Sequence, residues 1–195
     1  MHNCSSPGEW DTPPYHEIFL NNFRLTLGAI EWRLRAQPDS MDTLMQATLR
    51  VREMGRSTNR VCAVAACEDS TTEARVNEFC INLARQLGTA CEFNKQMWLL
   101  TELRVPRLRA IAVEDAAQAD LLLIAVHHCE EPPDELQNWL EQWLAKKGNR
   151  TTLLLALLDP VYSGVSAGLR TYLENIARKA PSEFLVQSED GVSYA

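Results

Sequence analysis

Two short polar clusters hold most of the side chains in this sequence that could do chemistry: Glu68-Asp69-Ser70-Thr71-Thr72 and His127-His128-Cys129-Glu130, with Asp159 and Tyr162 as outlying candidates. Carboxylates facing an imidazole suit proton transfer or the hydrogen bonding of a ligand, and hydroxyls at the start of a helix suit an anion. Neighbours in an extended segment point to opposite sides, so His127, His128, Cys129 and Glu130 cannot all converge on one ion; a metal would need Glu68, Asp69 or Asp159 from across a cleft. No metal site is therefore expected. One histidine of the pair, turned toward a cleft as a base or hydrogen-bond donor, is the better reading, and Cys129 as a nucleophile lacks an orienting group. Gly164-Val165-Ser166-Ala167-Gly168 matches the nucleophile elbow of hydrolases. However, the four histidines are His2, His16, His127 and His128, so none follows Ser166, and the segment reads instead as a small-residue loop before a helix.

These clusters become a site only if the chain folds so that they meet, and the apolar pattern shows how it does. Residues 61–67 form a run too short for a buried helix and apolar throughout, as in a parallel strand covered on both faces. Ser70, Thr71 or Thr72 caps the next helix, which carries Val76, Phe79, Cys80, Leu83 and Leu87 inward and stops at Gly88. Residues 91–100 give a second strand or a strand plus loop. Leu103, Leu108, Ile111, Ala112 and Ala116 mark a helix entered near Val105, with Pro106 in its first turn. Leu121–Val126 is the third strand. Pro132-Pro133 opens a helix with Leu136, Trp139, Leu140, Trp143 and Leu144 on one side, residues 151–158 form the fourth strand, Leu169, Tyr172, Leu173, Ile176 and Ala180 line a last helix, and residues 184–187 close the sheet. This is α/β grammar: a three-layer, doubly wound, mostly parallel five-stranded sheet of order 2-1-3-4-5, in which the loops after strands one and three face each other at the topological switch point, with the loop after strand four beside them. The polar loops then converge. The same residues would also serve as plain solvated strand ends and helix caps.

The first 56 residues form a separate extension before the domain of residues 57–195. Leu20, Phe23, Leu27, Ile30 and Leu34 follow helical spacing, and Met41, Leu44, Met45, Thr48 and Leu49 give a second helix capped by Asp39 or Ser40 and ended by Gly55. The sheet's own crossover helices can cover both of its faces. The apolar surface of this helical hairpin therefore calls for a partner, and a homodimer through the amino-terminal helices is expected, the alternative being packing within the chain against an edge strand of the sheet. The 195 residues carry 19 basic and 26 acidic side chains, a net charge of -7, with no basic run beyond Lys146-Lys147, which argues against nucleic acid. The polar amino terminus and the absence of a long apolar segment predict a soluble, cytoplasmic protein without membrane contact. The six cysteines contain no C-x-x-C pair, and Cys62, Cys67 and Cys80 read as small hydrophobes.

From Arg60 to Gln187, about two thirds of the chain, the pattern resembles a response-regulator receiver domain: Glu68-Asp69 resembles its acidic pair, and Ala119-Asp120-Leu121-Leu122-Leu123-Ile124 its third strand. In that register the phosphoacceptor position holds Ala125 and the lysine position holds Gln187, so the resemblance implies the fold without phosphorelay. Ser70-Thr71-Thr72 resembles the FMN phosphate loop of flavodoxins, although its glycine and asparagine are absent and Glu68 and Asp69 would repel an anion; Trp98 and Tyr162 could stack on a flavin. Met97-Trp98, Arg104-Val105-Pro106, Glu114-Asp115-Ala116-Ala117 and Trp139 to Leu144 are similar to uncharacterised bacterial α/β proteins of unknown function, which implies no mechanism. Toll/interleukin-receptor and nucleoside deoxyribosyltransferase-like folds remain the alternative strand orders. The expected function is a small-molecule ligand-binding or signalling module using Glu68, Asp69, Ser70, Thr71, Thr72, His127, His128, Asp159 and Tyr162. The alternative is an enzyme dependent on FMN, another flavin or a nucleotide in the same cleft, and whether the chain is catalytic stays open.

Overall fold

The computed structural model describes residues 38–55, 59–127, 131–158 and 167–187. The first helix expected of the extension, residues 20–34, lies outside them, as do His128, Cys129, Glu130, Asp159, Tyr162 and most of the G-x-S-x-G segment.

The described chain runs α1 (Pro38–Gly55), β1 (Arg60–Cys67), α2 (Ser70–Leu87), β2 (Glu92–Leu99), α3 (Leu100–Leu103), α4 (Pro106–Ala117), β3 (Leu121–Val126), α5 (Asp134–Lys146), β4 (Leu153–Leu158), α6 (Ala167–Lys179) and β5 (Glu183–Gln187). The five strands form one parallel sheet in the order β2-β1-β3-β4-β5. This is the flavodoxin-like α/β arrangement. The hydrophobic runs explain the order: every residue of β3 and β4 is buried, as central strands require, while β2 and β5 are half-buried edges.

Right-handed crossovers decide the layers. The chain moves one way along the sheet from β1 to β2 and the other way from β2 to β5, so α2 falls on one face and α4, α5 and α6 on the other. The core divides accordingly. On one face Val61, Ala63, Leu121, Leu123 and Leu155 meet Val76, Phe79 and Leu83 of α2, and on the other Val64, Leu122, Ile124 and Leu154 meet Ala112, Trp139, Trp143 and Leu173. Only one crossover helix lies on the α2 face, so the expectation that crossover helices alone cover the sheet is corrected: α1 supplies the missing cover. Its Leu44, Ala47 and Val51 join that core, and Arg50 Nε reaches Glu183 of β5 at 3.0 Å.

The apolar stripe of α1 also differs from the expected one. Thr43, Leu44, Ala47, Thr48 and Val51 are buried, whereas Met45 and Leu49 are 58% and 49% exposed. The small side chains of Ala47 and Thr48 let the helix approach the sheet closely, and Thr48 Oγ1 sits 2.7 Å from Leu44 O and 2.6 Å from Gln86 Oε1 of α2. The helix begins at Pro38, whose fixed φ suits a first turn, so Asp39 and Ser40 lie inside it instead of capping it. Ile111, expected inward on α4, is 51% exposed for a similar reason, since Ala112, Val113 and Ala116 form the buried stripe.

Candidate functional site

The carboxyl ends of β1 and β3 are neighbours in the sheet, with Cys67 opposite Ala125. Both chains leave the ladder just beyond that pair. Glu68 N–H still donates to Ala125 O at 3.0 Å, extending the pairing by one bond, and the Glu68 carboxylate turns across to accept the backbone N–H of His127 at 2.8 Å. Each exit loop therefore restrains the other.

Asp69 provides the second link. Its extended backbone and short carboxylate make it the N-cap of α2: Oδ1 accepts the N–H groups of Thr71 and Thr72, both at 2.9 Å, and the Thr72 hydroxyl accepts Asp69 N–H at 2.9 Å to complete a capping box. The cap was expected at Ser70, Thr71 or Thr72, one to three residues later. An ionised carboxylate at Asp69 satisfies two orphan N–H groups and the helix dipole together, which a hydroxyl cannot. Thr72 is fully buried by this role, while Ser70 and Thr71 stay exposed. The other Asp69 oxygen, Oδ2, lies 3.0 Å from His127 Nε2. The Thr72 N–H bond, aided by His127 and by Thr71 N–H against some desolvation, holds the Asp69 carboxyl below the usual carboxylate range.

Six expected residues are thus brought together: Glu68, Asp69, Ser70, Thr71 and Thr72 from the β1–α2 junction and His127 from the end of β3. His128, Asp159 and Tyr162 lie outside the described residues. Arg75, in the second turn of α2, went unnoticed in the sequence. Its guanidinium donates to Leu157 O near the end of β4 at 3.5 Å, tying α2 to the exit of that strand. Its signal was spacing alone, since it follows Thr71 by four residues on the same helix face. Trp98 stands opposite Ala66 and packs against the core.

Chemically, the arrangement presents carboxylates and one imidazole at a half-exposed surface, with side-chain exposures of 29% for His127 and 48% for Asp69. Two N–H groups of the α2 amino terminus, where a phosphate would bind such a fold, are already taken by Asp69. Among the described residues no group of three or more His, Cys, Asp or Glu could hold a metal ion. Cys67, at the end of β1, is no nucleophile, because burial pushes its thiol up to about 12. Ala125 stands where the receiver resemblance puts the phosphoacceptor, and Gln187 ends β5 where it puts the lysine. No family model and no curated protein matches the chain.

Proposed function

We propose that this chain is a ligand-binding or signalling module that uses the cleft at the carboxyl ends of β1, β3 and β4 and carries out no phosphoryl transfer. The observation that supports it most is the Asp69–His127 link across the switch point, joined to the self-capping of α2 by the same carboxylate. A ligand that enters must engage or displace that pair, so binding would be felt by both loops at once. The carboxylates favour a ligand group that donates hydrogen bonds or carries positive charge over a phosphate, which would compete with Asp69 for the helix terminus.

Thermal unfolding of the purified chain with FMN, a panel of nucleotides and a library of small amines and neutral fragments tests the proposal. The expected result is a colourless protein stabilised by members of the amine or neutral set. A yellow protein with bound flavin, or stabilisation by nucleotides alone, would favour the flavin- or nucleotide-dependent enzyme.

The cytoplasmic location belongs to the same proposal. No described helix is long and apolar enough to cross a membrane. The four described cysteines are free thiols, as a reducing compartment would keep them. Assembly as a homodimer through the amino-terminal helices is likewise proposed, supported by the exposed Met45 and Leu49 on α1. Sedimentation of the full chain at tens of micromolar tests it, and a monomer there would refute it.

A further inference from the structure

At the opposite end of the sheet, the last turns of α1 and the amino ends of β3, β4 and β5 line a cavity of about 590 Å³ that is open to solvent and has room for a small organic molecule. Its polar lining is Arg50, Glu53, Asp120, Arg150, Thr151 and Glu183. The floor is fixed. Asp120, with a side chain only 13% exposed, accepts Cys62 N–H on Oδ2 at 2.9 Å and Arg150 on Oδ1 at 2.6 Å, while its carbonyl accepts Leu153 N–H at 2.9 Å. Asp120 therefore stitches the starts of β1, β3 and β4 together and holds the Arg150 guanidinium at the cavity from one side.

Arg150 carries five N–H donors in a planar fork, and among the described residues only one of its nitrogens is engaged, at Asp120. Its side chain is 43% exposed, so the rest of the fork is open to a carboxylate from the cavity. Arg50 stands differently. Its Nε meets Glu183 at 3.0 Å and its Nη1 meets Glu53 at 3.4 Å, so two carboxylates share one cation. Two arginines against Glu53, Asp120 and Glu183 leave a local charge of -1. A simple anion would enter a negative region of a negative chain, and a simple cation would leave the Arg150 fork unused. A molecule carrying both charges satisfies both.

We propose that this cavity binds a small zwitterion of the free amino-acid class, its carboxylate on Arg150 and its ammonium on the carboxylates of Glu53 and Glu183. The site lies at the sheet end opposite the Asp69–His127 cleft and stands independently of the function proposed for that cleft.

The test is amide-resolved NMR and calorimetry on the full chain with the standard amino acids, with acetate and ethylamine as probes of each charge alone. At least one amino acid should bind saturably and perturb Asp120, Thr151 and Glu183 while sparing Asp69 to Thr72, and acetate and ethylamine should bind at least tenfold more weakly. Arg150→Lys keeps the charge but loses the fork, and Glu53→Gln removes half of the ammonium partner; each should weaken binding about tenfold. Glu53 is 55% exposed, so its variant reads binding even if the Arg150 variant folds poorly. Binding by no amino acid, equal binding of acetate, or unchanged affinity in Glu53→Gln would overturn the proposal.

Discussion

Replacing Asp69 with alanine separates the cap from the cleft. The substitution strips the acceptor from two N–H groups at 2.9 Å, removes a negative charge from the positive end of α2 and breaks the contact with His127. Loss of an N-cap side chain costs about 1 kcal/mol and up to about 2, the charge at the helix terminus adds about 0.5, and a half-exposed carboxylate–imidazole contact adds at most a few tenths. Asp69→Ala should therefore destabilise by about 1.5 to 2.5 kcal/mol in urea unfolding followed by tryptophan fluorescence. Asp69→Asn keeps the acceptor oxygen and should lose about 0.5 kcal/mol, and His127→Ala no more than that, because the Glu68 bond runs to the His127 backbone. The pH dependence carries a definite sign. The native Asp69 carboxyl sits below its ordinary range, so its contribution is complete above that range and is lost as pH falls through the native value. The gap between wild type and Asp69→Ala should accordingly narrow in acid. Equal losses for Asp69→Asn and Asp69→Ala, or a gap that widens below pH 4, would refute the capping argument.

Two further outcomes follow from the core. Trp143 Nε1–H donates to Ala116 O at 3.1 Å, whereas the equally buried Trp139 Nε1–H has no partner among the described residues, so Trp143→Phe should cost about 1 kcal/mol more than Trp139→Phe in the same unfolding assay. Burial pushes the Cys67 and Cys80 thiols up to about 12 and about 11, so neutral-pH alkylation of the native protein, read by peptide mass mapping, should modify Cys91 and leave both of them unlabelled until urea is added.

The sheet was legible because its strands are nearly pure apolar runs bounded by polar exits, and the right-handed crossover rule then leaves few topologies. Leu121–Val126 and the Trp139 helix needed nothing more. The placement of α1 was not legible. Its apolar pattern admits two stripes, one through Met45 and Leu49 and one through Ala47 and Val51, and only the uncovered sheet face beside β4 and β5 selects the second. The cap moved from a hydroxyl to Asp69 for an electrostatic reason: its carboxylate accepts the N–H groups of Thr71 and Thr72 and meets the positive end of α2 with a negative charge, and apolar periodicity does not reveal which polar residue will do so. The meeting of Glu68 with the backbone of His127 depends on strand register, which periodicity alone does not set. The cavity at Arg50 and Arg150 joins residues from four elements and has no local motif to announce it.

The most direct test of the account is an amide-resolved NMR titration of the uniformly labelled chain with the amine and neutral fragment library, mapped onto the sequence. The account predicts that the tightest binders of the switch-point cleft shift Glu68, Asp69, Thr71, Thr72 and His127 together, because the Asp69–His127 and Glu68–His127 bonds couple the two loops, and that Asp69→Ala uncouples the His127 response. Binders that leave all five amides unmoved, or FMN and nucleotides shifting Thr71 and Thr72 more strongly than any amine, would contradict it.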